Sequence, residues 1–330
     1  MKNKKICLVV FIIICLILFC FSLTIGSYDL SIADILKILG GTNTSSIQQN
    51  VFYNLRLPRV IMGLFTGLVL GLAGAIYQML FSNPLASPDL TGVASGASLG
   101  AAAAIIIGAG TTIEKTFGAF IFGMLSLILV IVLVKTMGMQ KASAYILSGI
   151  VISSLADAGI MMLKYIADPL SQLAAIEFWT MGSLAAVTVD KMMVSLFSGV
   201  IPLLILCLLH RQIVILSLGD ENAQYLGINA KWQRAIILIL ATWMVASVIA
   251  ITGVISFVGL IAPHIAYLMF KKRTGYFYTI SSLVGAVLVL VADMLARMLT
   301  TGVELPLSIL TILFSTPVLV FWMYKQRGKI

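Results

Sequence analysis

Charge is what this sequence has least of. In 330 residues there are 12 Asp and Glu and 21 Lys and Arg, so 10% of the chain is charged against 61% hydrophobic. A water-soluble domain of this size is excluded by that balance, and the mean hydropathy of +1.11 agrees. Histidine is rarer still, with only His210 and His264. Neither has a ligand partner at helical spacing and no HExxH occurs, so a zinc-hydrolase arrangement and any other metal site are not expected. His264, in IAPHI, is expected to bond a carbonyl freed by the adjacent proline. The four cysteines (Cys7, Cys15, Cys20, Cys207) fall in apolar runs without a CxxC pair, which argues against a disulfide framework or structural zinc. No GxxxxGK[ST] phosphate loop occurs, so any ATP is used by another chain. No basic-aromatic patch points to nucleic acid.

What the chain has in abundance is long apolar runs. A helix needs about 20 apolar residues to cross a hydrocarbon core of about 30 Å. Ten stretches qualify: 6–25, 60–80, 92–110, 116–134, 142–167, 192–209, 235–256, 258–270, 276–296 and 303–324. Alternating ten-residue strands of the barrel kind are missing, so the expected class is an all-α integral membrane protein. MKNKK before the first run resembles a secretory signal, but SLTIG has no small-x-small cleavage site and LILFC no lipoprotein signature, so an uncleaved first span is expected. Ten spans put both termini on one side. If that side is the cytoplasm it carries 14 of the 21 Lys and Arg, and the positive-inside bias selects this orientation. The net charge of +9 is then topological.

No linker divides residues 1–330, which read as one membrane domain. Gly63, Gly67 and Gly71 recur at every fourth position, as do Gly92, Gly96 and Gly100, a spacing that lets helices pack closely in lipid. GASLG (96–100) fits the GxSxG nucleophile pattern around Ser98, but it sits inside a glycine-ridged span with no base at hand, and packing accounts for it. AGAIYQMLFSNPLA (73–86) and TGVISFVGLIAPHI (252–265) share a glycine followed ten residues later by proline, in runs that cross in opposite directions, as an inverted repeat requires.

Two acids, Asp157 and Asp293, lie well inside spans, where charge marks ion pathways by default. Asp293 stands four residues before Arg297, the favourable order for an intrahelical pair. Asp157 has no local partner and is the candidate proton or cation site. LRLPR places Arg56 and Arg59 at the start of the second span, with Pro58 at a natural first helical position. Positive charge there opposes both the helix dipole and the positive-inside bias. Such an arrangement suggests an external acidic partner or anchoring to lipid phosphate. The polar stretch GDENAQYLGI (219–228) falls in a cytoplasmic loop between the sixth and seventh spans. Asp220 can cap a short helix there and Glu221 complements its first turn, with Tyr225, Leu226 and Ile228 as an apolar face and Gly227 as the exit. It reads as a plug for a groove on another protein, or as an ordinary re-entry loop.

RLPR (56–59), GAIYQMLFSNPLASPDLTGVASGASLG (74–100), FWTMGS (178–183), GVISFVGLIAPH (253–264), ADMLAR (292–297) and ELPLSILT (304–311) stand in the order of a known family's signatures. The chain resembles, from about Ser22 to Lys325, the FecCD-type membrane permeases of ABC importers for iron–siderophores, haem and cobalamin. The resemblance implies a type II ABC importer permease fold in the cell membrane. It implies an ATPase dimer inside that uses the ATP and magnesium, and a substrate-binding lipoprotein outside. It also implies a second copy or paralogue around a central pathway, with no cofactor held by this chain and no catalysis. Gly219, Asp220, Glu221, Ala223, Tyr225, Leu226 and Gly227 become the coupling segment, with Asn222 departing from the family's EAAxxxG. Arg56, Arg59 and Arg297 match positions that meet acids on the binding protein. The cytoplasmic gate falls on Ala142 and Ser143, where the cobalamin relative has two hydroxyl residues.

The function so implied is import of an iron(III)–siderophore complex, with haem or cobalamin as alternative cargo. The reading from another class is a proton-coupled secondary transporter that uses Asp157.

Overall fold

Apolar runs satisfy their backbone in lipid as helices, and regular structure is entirely helical among the described residues. The computed structural model describes residues 2–41, 45–108, 110–138, 142–270, 275–299 and 304–326. In order these form α1 (Lys2–Thr24), α2 (Ile32–Leu39), α3 (Ser46–Asn50), α4 (Leu57–Leu80), α5 (Val93–Ile106), α6 (Thr112–Thr136), α7 (Ala142–Ile166), α8 (Gln172–Thr180), α9 (Val189–Leu208), α10 (His210–Leu216), α11 (Asp220–Tyr225), α12 (Ala230–Thr252), α13 (Val258–Phe270), α14 (Gly275–Met298) and α15 (Leu307–Gln326). Among the described residues, seven helical runs are long and apolar enough to cross a bilayer: α1, the run Ser46–Leu80 ending in α4, α6, α7, α9, α12 and α14. Three shorter apolar helices, α5, α13 and α15, complete the ten expected from sequence. Ala109 and Val303, in the third and tenth expected spans, lie outside the described residues.

Two boundaries differ from expectation for local reasons. The third span is shorter than 92–110, because Gly92 takes a left-handed backbone (φ 78°) that starts α5 and the helix is left at Ile106. The second span is longer than 60–80. A wide π-type turn, Val51–Arg56, joins α3 to α4, and Pro58, which has no N–H to donate, sits in the first turn of α4 just after it. Arg56 and Arg59 therefore lie well inside a 35-residue helical run, and the dipole objection raised by a helix start at Pro58 does not apply.

α4 is the hub. Gly67 and Gly71 bring it so close to α14 that an added Cβ would run into the carbonyl oxygens of Gly285 and Ser281, and one at Gly74 would hit the Gly259 carbonyl of α13. The second ridge works likewise: Gly96 meets Ser126 and Phe122, and Gly100 meets the Gly118 carbonyl, all on α6. Gly63 is looser, with Leu184 Cδ1 at 3.1 Å from an added Cβ, and Gly92 serves the turn rather than the ridge. Ser98 is buried within α5, as the packing account requires. The two stretches with the shared glycine–proline spacing are not built alike. Gly74 is mid-helix with Pro84 in the turn beyond, whereas Gly253 ends α12 and Pro263 lies inside α13.

Three signature stretches meet where α12 breaks. The Ser183 amide donates to the Thr252 carbonyl (2.7 Å) and the amides of Leu307 and Ser308 donate to the carbonyls of Gly182 (2.9 Å) and Met181 (3.1 Å). Ser308 Oγ donates to the Val254 carbonyl and accepts from the Ser256 amide. Irregular backbone at this depth needs such pairing. Gly182 and Gly253 permit it, since a Cβ on either would clash with the carbonyl of Val254 or Trp179. This junction fixes the strand of chain that carries Glu304.

Gly71→Ala is expected to cost about 1–3 kcal/mol by overpacking against backbone that cannot retreat. Gly63→Ala, against a flexible leucine, is expected to be nearly neutral. Thermal unfolding of the two purified variants checks the contrast.

Candidate functional site

The inner face is organised by α10, α11 and the start of α12. Gly219, not Asp220, is the N-cap of α11, and no side chain caps it. Asp220 is drawn away instead: its carboxylate accepts from both Nη atoms of Arg234 at 2.6 and 3.1 Å. Arg234 is buried in α12, and this charge-assisted fork ties α11 to a long helix. Ala223 is fully buried and anchors the other side. Ile228 packs on the core rather than joining an exposed face. That leaves Tyr225, 89% exposed, and Leu226, 60% exposed, at the tip, with Glu221 exposed beside them. Gly227 (φ 75°) then reverses the chain. The result is a short helix held rigidly at its base and apolar at its tip.

Nearby, the turn Pro88–Thr91 links α4 to α5. It holds Asp89, whose carboxyl is pushed up to about 6 by burial. No local sequence signal marks this acid, because it stands outside every apolar run. At the expected gate, Ser143 is exposed in the first turn of α7 and the side chain of Ala142 lies outside the described residues. Asp157 is exposed on the uncovered face of α7. His264 Nδ1 and the Leu260 carbonyl, four residues back in its own helix, share a hydrogen bond of 2.6 Å; the carbonyl is a neighbouring one, as expected, but not the one Pro263 frees, which is that of Gly259.

On the outer face the structure brings Arg56, Arg59 and Arg297 together around a cavity of about 260 Å³. Arg59 Nε and Nη2 donate to Asp293 Oδ1 at 2.9 and 2.8 Å, and its Nη1 and Nη2 donate to the two oxygens of Glu304, both at 2.7 Å. Asp293 Oδ2 pairs with Arg297 at 2.8 Å, the expected i,i+4 contact. Arg297 also donates to the Ser22 and Ile25 carbonyls, and Arg56 to those of Leu23 and Tyr28. The acidic partners that the sequence argument sought outside the chain are thus present within it. All three guanidinium groups are turned inward, and Arg59 is 11% exposed. Asp293 and Glu304 lie 234 and 245 residues from Arg59, and no local pattern pairs them. Asp293 and Glu304 are the acids hydrogen-bonded to these arginines, and the exposed Asp29 adds a further negative charge near Arg56.

The sequence profile of the FecCD transport family matches residues 14–325. This chain belongs to that family. It is 34% identical to the hemin transport system permease protein HmuU of Yersinia pestis, over 93% of this chain and 92% of that one. It is also 34% identical to the molybdate import system permease protein MolB of Haemophilus influenzae, over 93% and 92%. The Fe(3+)-citrate import system permease protein YfmE of Bacillus subtilis is 32% identical over 99% and 97%. A solved structure described as an inward-facing ABC transporter of the metal-chelate type superposes with a TM-score of 0.87, at 31% identity, over 97% of this chain and 99% of that one. The protein is therefore an ABC importer permease of the FecCD family, with a type II importer fold and several passes through the cell membrane.

Two outcomes follow from the site's electrostatics. Asp293→Asn removes the buried charge that two arginines share, leaving Arg59 with Glu304 and Arg297 with its carbonyls, and is expected to cost about 3 kcal/mol, whereas Glu304→Gln, at a rim carboxylate 33% exposed, costs about 1 kcal/mol or less. Thermal unfolding in detergent ranks them. For Asp89, the folded carboxyl titrates near 6 and the unfolded one near 3.8, so the fold disfavours the charged form. Its penalty is full above pH 6 and gone below the unfolded value. Asp89→Asn is expected to melt higher than the wild type at about pH 7.5 and level with it at about pH 3.

Proposed function

We propose that the chain is the permease subunit of an importer that takes a ferric siderophore from an extracytoplasmic binding protein and is driven by a separate ATPase dimer. The observation that carries this reading is α11. A chain without a phosphate loop of its own presents an exposed apolar tip, Tyr225 and Leu226, on a base clamped by Asp220–Arg234 and buried Ala223. The ATPase grips residues 219–228, Glu221 and Gly227 included, and its ATP-driven motion passes through Arg234 into α12. The cytoplasmic gate at Ala142 and Ser143, one helix away, opens in response.

On the outer face the binding protein docks over Arg56, Arg59 and Arg297. Glu304 occupies Arg59 in the free permease, and an acid on the binding protein takes its place. The partly exposed position of Glu304 at the rim supports this exchange. A second copy or paralogue covers α7, which leaves Leu147, Val151, Leu155 and Met162 uncovered and so offers a wide apolar face for pairing. Cargo passes between the two copies. Scarcity of buried charge suits a bulky chelate, which must leave as easily as it enters. Iron-bearing cargo is favoured by the names of HmuU and YfmE, with haem next and cobalamin behind it.

Tyr225→Ser with Leu226→Ser alters only exposed side chains. In vesicles that contain the permease, its ATPase and the binding protein, the double variant is expected to lose most ATP-dependent uptake of a radiolabelled ferric siderophore, and to lose ATPase co-purification. Unchanged uptake and co-purification would refute the handle. Uptake that persists without any ATPase and collapses on Asp157→Asn would establish the proton-coupled reading instead.

A further inference from the structure

On the cytoplasmic side, α6, α7 and α12 enclose a cavity of about 450 Å³ that the transport reading leaves unused. Its walls are of two kinds. Ile131 and Val134 of α6 are apolar, while Lys135, Lys231, Trp232 and Arg234 supply charge and an aromatic ring. Lys135 and Lys231 are exposed, and neither has an acid partner among the described residues. Arg234 is 4% exposed; its Nη atoms hold Asp220, while its Nε has no acceptor within the described chain. Three cations against Asp220 leave the lining with a net charge of +2.

The apolar wall does not stop at the cavity. Ile131 and Lys135 share a helical stripe with Ile128, and Lys231 shares one with Ala235 and Ile239. Ile128 and Ile239 are exposed. From Lys135 to Ile128 and from Lys231 to Ile239 the stripes run on the order of 10 Å toward the bilayer centre. A cationic mouth at the membrane surface thus opens onto an apolar groove at hydrocarbon depth. Trp232, 67% exposed, sits at the level where indole rings collect in membrane proteins.

We propose that this cavity binds an anionic phospholipid of the inner leaflet, its headgroup phosphate on Lys135 and Lys231 and its acyl chains along Ile128 and Ile239. Charge complementarity selects an anionic headgroup over a zwitterionic one. The apolar stripes select a lipid over a soluble anion, which has no use for them. They also lie too deep for a cytoplasmic protein to cover. Because Arg234 reaches both the cavity and Asp220, an occupied site steadies the base of α11.

The test uses the purified full chain in detergent and native mass spectrometry, with phosphatidylglycerol, phosphatidylcholine and inorganic phosphate as probes. Wild type is compared with Lys135→Gln, Lys231→Gln, a change confined to exposed side chains; equal phosphatidylcholine retention and elution volume confirm that the variant is folded. The wild type is expected to retain phosphatidylglycerol in preference to phosphatidylcholine, and the variant to bind it on the order of tenfold more weakly. Millimolar inorganic phosphate is expected not to displace it. Equal retention by both proteins, or no preference between the lipids, would overturn the proposal. Displacement by phosphate alone would assign the cavity to a free anion, and displacement by the ATPase would assign it to the motor; either result overturns it too.

Discussion

Everything in this fold hangs on how closely α4 approaches its neighbours. Lipid tails supply no hydrophobic drive between helices, so association rests on packing, and packing is tightest where no Cβ intervenes. Gly67, Gly71 and Gly74 let the backbone of α4 lie against Gly285, Ser281 and Gly259. That contact sets α14 and α13 in register with α4. It has consequences at both ends. At the outer end it brings Asp293 of α14 beside Arg59 of α4, and at the inner end it leads the chain into the turn that carries Asp89.

The second theme is how few charges the protein keeps and how the buried ones tie the chain together. Arg56 and Arg297 hold the last turn of α1 and the chain just after it by their carbonyls, Asp293 joins two arginines, and Arg234 clasps α11. Burial of such groups is costly unless they are paired and hydrogen-bonded. Here each is a tie between separate segments of the chain. What is left for function is the rim: Glu304 outside, and the apolar tip of α11 inside. A permease with its charges committed to structure has an uncommitted, mostly apolar interior, which suits a cargo that must not be held tightly.

The ten helices were legible because each is a long apolar run with polar breaks, and the Gly67–Gly71 and Gly96–Gly100 ridges because fourfold spacing is local. The Asp293–Arg297 pair is legible for the same reason, since partners four apart meet on any helix; the His264 bond is to a neighbouring carbonyl, but not the one its proline frees. What escaped was long-range or irregular. Arg59 finds Asp293 and Glu304 across more than two hundred residues, so its positive charge was read as unpaired. Asp220 was read as a cap because capping is a local rule, and Arg234, fourteen residues on, outcompetes that role. Gly182, Gly253 and Ser308 belong to three separate motifs in sequence but meet at one junction. Nothing in a single sequence states that three motifs share one place.

The central claim is that α11 is gripped by a motor on another chain. A photo-crosslinking residue at position 225, in the complex assembled with its ATPase, tests this most directly, with position 197 on the exposed face of α9 as control. The account predicts a crosslink to the ATPase from 225, changed in yield by ATP, and none from 197. A complex that assembles and hydrolyses ATP with no ATPase adduct from 225 would contradict it.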